Sequence, residues 1–191
     1  VSAWSAYRRL GIQELKDIET AIDWLKQRPY VDADRIGMTG HSYGGFMTAF
    51  ALTHSDRFAC GIAGAPVTDW RNYDTIYTER YMLTPQENPE GYTTTSVVEA
   101  AEDLKGRLLI VHGAKDDNVS LRNTYQLIHN LQQAEKPFEL MVYPESRHGI
   151  FSEHYTNLRL DFIRRTLGGG PRDRSSAEAA ETAAAAAGEG R

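Results

Sequence analysis

The sequence predicts an α/β fold, a mostly parallel sheet with helices on both faces. Two observations carry that prediction. Short aliphatic runs alternate with amphipathic stretches along most of the 191 residues. One of those runs leads into Gly40-His41-Ser42-Tyr43-Gly44, where a strand, a tight turn and a helix follow one another.

The elements can be justified in order. Ile12, Leu15, Ile18, Ile22 and Leu25 recur at helical spacing opposite a charged face, so residues 11–28 read as an amphipathic helix that Pro29 ends. Strands are predicted at 36–40, 59–64, 107–112 and 138–143, where aliphatic residues concentrate. Helices are predicted at 43–54, 94–103, 120–134 and 152–167. The stretch from Trp70 to Tyr92 breaks the rhythm, being rich in Tyr, Thr, Asn, Glu and Pro, and reads as an insertion that covers a site. Past Leu167 a Gly-Gly-Gly-Pro run gives way to an Ala, Glu and Ser tract. Residues 1–167 are therefore expected to form one domain and 168–191 a disordered, low-complexity tail.

Composition narrows the function. A formal charge of −5 offers no basic stripe for nucleic acid, and no apolar run is long enough to cross a bilayer. The single cysteine, Cys60, has no internal partner and reads as a small buried hydrophobe. No H-E-x-x-H or paired-cysteine spacing is present, so neither a metal nor another cofactor is expected. The sequence leaves the compartment open.

The G-x-S-x-G turn points to chemistry. A serine on a sharp strand-to-helix turn is held out at the sheet edge, where the backbone N–H of Tyr43 and the positive end of the following helix face any oxyanion. A hydroxyl is a weak nucleophile at neutral pH and needs a neutral imidazole, itself oriented by a carboxylate. In folds with this turn the order is serine, acid, histidine. His41, His54 and His112 come too early, while His129 and His154 fall within predicted helices. His148 follows the last predicted strand on a loop and is the best candidate base. The acid should follow the preceding strand, where Asp116 and Asp117 both qualify. Spacing favours Asp116, because Asp117 can serve the next helix N-terminus, but it leaves the pair open.

Several separated motifs now resemble one family. Gly40-His41-Ser42-Tyr43-Gly44-Gly45, Ala65-Pro66-Val67-Thr68-Asp69-Trp70, Tyr73-Asp74 with Ile76 to Met82, His112-Gly113 with Asp116-Asp117-Asn118-Val119, and His148-Gly149-Ile150 resemble the prolyl oligopeptidase family of serine peptidases, nearest its dipeptidyl peptidase IV branch. The resemblance spans about residues 7 to 166. It implies an α/β-hydrolase fold with Ser42 as nucleophile, Asp116 as acid and His148 as base, acting on peptide bonds after proline or alanine through an acyl-enzyme.

It also implies that Val67, Trp70, Tyr73, Tyr77 and Val119 line the pocket for the residue before the cut bond, and that Asn118 donates to a substrate carbonyl. Flat aromatic walls suit a compact proline ring. An acylaminoacyl peptidase, an esterase and a noncatalytic binding module are the alternatives weighed. Two positions depart from the branch: His41 stands where tryptophan is common, and Asn72 replaces a common tyrosine.

The family's sheet has eight strands against about four legible here. The resemblance therefore reads the chain as the C-terminal part of a catalytic domain. Upstream segments would supply a tyrosine oxyanion donor and a β-propeller that binds a substrate's amino terminus, and a homodimer is possible in the full protein. Weak or absent activity is expected of the chain by itself.

Overall fold

The computed structural model describes residues 2–168. The expected tail, Gly168 apart, lies outside the described residues. The elements are α1 (Ser2–Ala6), α2 (Ile12–Lys26), β1 (Gly37–His41), α3 (Tyr43–His54), β2 (Cys60–Gly64), α4 (Thr75–Met82), α5 (Pro89–Thr94), β3 (Arg107–Gly113), α6 (Arg122–Gln133), β4 (Glu139–Tyr143) and α7 (Glu153–Leu167), with 3-10 turns at Trp70–Asn72 and Ala101–Asp103. The four strands pair in parallel in the order β1-β2-β3-β4.

This topology explains the layers. Right-handed connections that step in one direction across a parallel sheet place their helices on one face, so the opposite face must be covered by the chain returning after β4. The cores follow that division. Leu108 and Ile110 of β3 pack with Leu15 and Ile22 of α2, Phe46 and Phe50 of α3 and Leu127 and Leu131 of α6. The alternate residues Leu109 and Val111 pack with Cys60, Ile62 and Phe162 of α7. Cys60 is free and buried, as its apolar setting suggested.

The predicted strands and the helices at 43–54, 120–134 and 152–167 match within two residues. The helix at 94–103 is a correction. There the chain forms the end of α5, an irregular stretch and a 3-10 turn. Tertiary bonds account for the difference, because Val97 and Val98 N–H both donate to Thr68 O, and Ser96 Oγ donates to Asp69. The Trp70–Tyr92 stretch is more ordered than an irregular cover. Asp69, Asp74 and Asn88 each cap a helical start there with a side-chain oxygen. No helix among the described residues is long and apolar enough to cross a membrane.

Candidate active site

All the predicted site residues follow carboxyl ends of the parallel strands, where an open α/β sheet presents ligands to its loops. Ser42 joins β1 to α3 with φ 60° and ψ −117°, a strained conformation for a residue with a Cβ. Its N–H donates to Gly64 O at 2.8 Å. The glycines permit two close approaches: a Cβ on Gly40 would lie 2.2 Å from Gly44 O, and one on Gly45 would lie 2.3 Å from Gly64 O. A Cβ on Gly44 would meet nothing, so the second glycine of the motif is not required sterically.

Asp116 lies three residues past β3, with its side chain fully buried. Oδ1 accepts from the N–H groups of Asn118 and Val119, both at 2.9 Å, and Oδ2 accepts from His148 Nδ1 at 2.8 Å. Burial pushes this carboxyl up, but the hydrogen bonds from His148 and the two amides win and hold it below the usual carboxylate value. Asp117 points elsewhere, pairing with Arg147 at the surface. Geometry thus separates the two aspartates that spacing left open.

His148 is brought over β3 by backbone contacts. Ala114 N–H donates to Tyr143 O and Lys115 N–H to Ser146 O, and a Cβ on Gly113 would lie 2.2 Å from Arg147 O. With Nδ1 donating to Asp116, the favoured neutral tautomer leaves Nε2 as an acceptor. The imidazole is 25% exposed and packs beside the Ser42 turn, its ring 4.9 Å from that of His41.

Two histidines outside the predicted set support this arrangement. His41 Nε2 donates to the carbonyl of His148 at 2.6 Å, fixing the His148 backbone to the turn. His112 is fully buried, with Nε2 donating to Val119 O at 2.9 Å and lying 3.2 Å from Asp116 Oδ2, while Nδ1 accepts from Thr124 Oγ1 at 2.7 Å. Burial lowers the pKa of both rings. Chain order excluded both as the base, and no sequence signal reports such cross-loop contacts.

The residues expected to line the pocket divide by depth. Val67, Trp70 and Val119 are buried in the α3-face core. Tyr73 and Tyr77 stand above it, half-buried, with Tyr77 stacked on Trp70 at 6.0 Å and Tyr73 edge-on to both rings. Tyr73 OH donates to Asn118 Oδ1 at 2.8 Å, which leaves the Asn118 amide nitrogen free to donate. Tyr43, the first residue of α3, offers a backbone N–H without an intrahelical partner. Its hydroxyl donates to Glu14 Oε1 at 2.5 Å, and burial followed by that carboxylate raises its pKa. Among the described residues no cluster of His, Cys, Asp and Glu has the form of a metal site.

Known proteins are similar to this chain in sequence and, in one solved case below, in structure. A protein named "Probable dipeptidyl-aminopeptidase B" from Emericella nidulans is 48% identical over 143 residues, covering 73% of this chain and 16% of its own length. A protein of the same name from Coccidioides posadasii is 51% identical over 147 residues, covering 74% of this chain and 16% of its own. The crystal structure of Porphyromonas gingivalis dipeptidyl peptidase 4 superposes with a TM-score of 0.82 at 43% identity, over 85% of this chain and 24% of that one. The chain thus spans only a small part of these relatives' length. Residues 3–170 match the family described as "Prolyl oligopeptidase family". An α/β-hydrolase sheet with these loops at its carboxyl edge, this similarity and that match together mean that the chain belongs to the prolyl oligopeptidase family.

Proposed function

We propose that the protein is a serine peptidase of the dipeptidyl-peptidase type, cleaving after proline or alanine. Ser42 Oγ attacks the scissile carbonyl while His148 Nε2 takes its proton, and the imidazolium then protonates the leaving amine. Water repeats the sequence on the acyl-enzyme. Asp116 keeps the imidazole in the reactive tautomer and stabilises its charge. The Tyr43 N–H and the α3 N-terminus receive the oxyanion, with a further donor from an upstream segment of the full protein. Tyr73 and Tyr77, over the floor of Val67, Trp70 and Val119, hold the proline ring. Asn118 donates to the next carbonyl.

One observation carries the reading most: a fully buried Asp116 carboxylate bonded to Nδ1 of a largely buried imidazole beside the strained serine turn. The relatives' names support the dipeptidyl class. A β-propeller and a homodimer in the full-length protein belong to the same proposal.

A fluorophosphonate probe tests it. The full-length protein should be labelled and Ser42→Ala should not; equal labelling of the two would remove Ser42 as nucleophile. A proline dipeptide anilide should be cut in preference to an acyl ester and an N-acylated peptide. The reverse preference would move the protein to the acylaminoacyl or esterase class.

A further inference from the structure

A cavity lies beside the serine turn, on the side away from the Tyr73 and Tyr77 rings. It has a volume of about 490 Å³ and is walled by His41, Ile150, Phe151, Tyr155 and Arg159. The two sites belong to opposite faces of the sheet. Tyr43, Tyr73 and Tyr77 pack with the α3-face core, whereas Ile150 and Tyr155 pack with the α7-face core. Ser42 stands at the strand end between them.

Arg159 lies one helical turn beyond Tyr155, with its guanidinium 5.4 Å from that ring's centroid. Its Nε is shielded from solvent and finds no hydrogen-bond partner among the described residues. A buried donor left unsatisfied is costly, and a guanidinium is built to take a carboxylate. Burial raises the Tyr155 phenol's pKa and the Arg159 charge opposes that rise, so the guanidinium's field reaches the cavity wall. Phe151, 96% exposed, adds an apolar lip.

Resting on the proposed peptidase reading, we infer that this cavity binds the leaving side of the substrate and that Arg159 selects leaving peptides carrying a carboxylate close to the cut bond. The direction of the substrate follows from the two faces. A chain whose acyl side fills the aromatic pocket on the α3 face crosses Ser42 and leaves towards the α7 face. The leaving amine must lie against His148, which takes its place through the loop that forms the cavity rim and through the His41 bond. A short leaving peptide therefore brings its terminal carboxylate to Arg159.

The experiment compares kcat/KM of the full-length protein on Ala-Pro-Phe and Ala-Pro-Ala-Phe, each as free acid and as C-terminal amide. Each acid-to-amide ratio is internal to one preparation, so partial misfolding of a variant leaves it unchanged. At low salt at least one acid should be preferred about five- to tenfold, as a charge-assisted hydrogen bond in a partly solvated site allows, and added salt should erode the preference. Arg159→Gln should bring the ratio towards one, Arg159→Lys should keep part of it and Arg159→Glu should invert it.

A wild-type ratio of one, as when another segment of the polypeptide fills the cavity, overturns the inference, and so does a preference that survives Arg159→Gln. Turnover of none of the four peptides overturns the peptidase reading and this inference with it. Equal turnover of acid and amide overturns the inference alone.

Discussion

The loops after β1, β3 and β4 and the segment after β2 reach the same sheet edge by different physical means. Ser42, Asp116 and His148 are fixed by backbone hydrogen bonds, a strained φ and contacts too close for a Cβ. The aromatic wall is held by ring packing: Trp70 lies 4.9 Å from Phe46 and 6.0 Å from Tyr77, and the chain between is capped helix by helix. The difference matches the tasks proposed for the two regions. Proton transfer tolerates little displacement, so its groups are tied to main chain. A binding wall needs shape, and apolar packing supplies shape with some freedom to adjust.

The largest expected effect breaks the first kind of restraint. Asp116→Asn keeps an oxygen for the Asn118 and Val119 amides but presents an N–H to His148 Nδ1. The imidazole must then carry its proton on Nε2 and cannot accept one from Ser42. A loss in kcat of about 10⁴ is expected with little change in melting temperature. A variant within tenfold of wild type on a proline anilide would refute the Asp116 role.

Trp70→Ala breaks the second kind. Removing a buried indole from beneath Tyr77 and beside Phe46 should destabilise the full-length protein by about 3–5 kcal/mol, measured by urea denaturation. Rate and labelling per folded molecule should fall less than in Asp116→Asn. A larger fall would mean that Trp70 does more than support the wall.

Protonation tests the polar restraints together. Burial lowers the pKa of His112 from the usual imidazole value of 6.5. Between 6.5 and its lower folded value the unfolded chain binds a proton that the folded protein does not. Stability is therefore full above 6.5 and falls as the pH drops through that window. Asp116 adds a second loss, beginning as the pH falls below 3.8 towards its own lower folded value. Unfolding free energies between pH 7 and 5 should decline, and less so in His112→Asn. An unchanged slope would remove His112 from the account, leaving His41 and His54, whose pKa values burial also lowers.

Much of this was legible from residue order. The strands announce themselves as aliphatic runs because the inner ones are covered on both faces, and β2 is buried at all five positions. The Ser42 turn is legible because Gly40 and Gly45 answer local steric demands. Asp116 against Asp117 is legible only through the family resemblance and not through spacing, since the His148 contact depends on how the β4 loop crosses Gly113, over thirty residues of chain. His41 and His112 were hidden for the same reason. The misread helix at 94–103 failed where bonds to Thr68 and Asp69 outweighed local preference. Periodicity reports burial of a face; it carries no record of which loop leans on which.

The smallest effect probes a side-chain bond between the two regions. Tyr73 OH, from the aromatic wall, donates to Asn118 Oδ1, two residues from the acid. That bond holds the Asn118 carbonyl oxygen towards the wall and so turns the amide nitrogen outward. In Tyr73→Phe the ring still packs edge-on to Trp70 and Tyr77, but the amide is free to flip. Losing one neutral hydrogen bond is worth about 0.5–1.5 kcal/mol, so KM should rise about two- to tenfold while kcat changes less. Asn118→Ala should raise KM similarly, and the double variant should cost no more than either single change, because both act through one amide. Additive effects would show that the Tyr73 hydroxyl acts independently of Asn118, and that this bond does not couple the wall to the Asp116 loop.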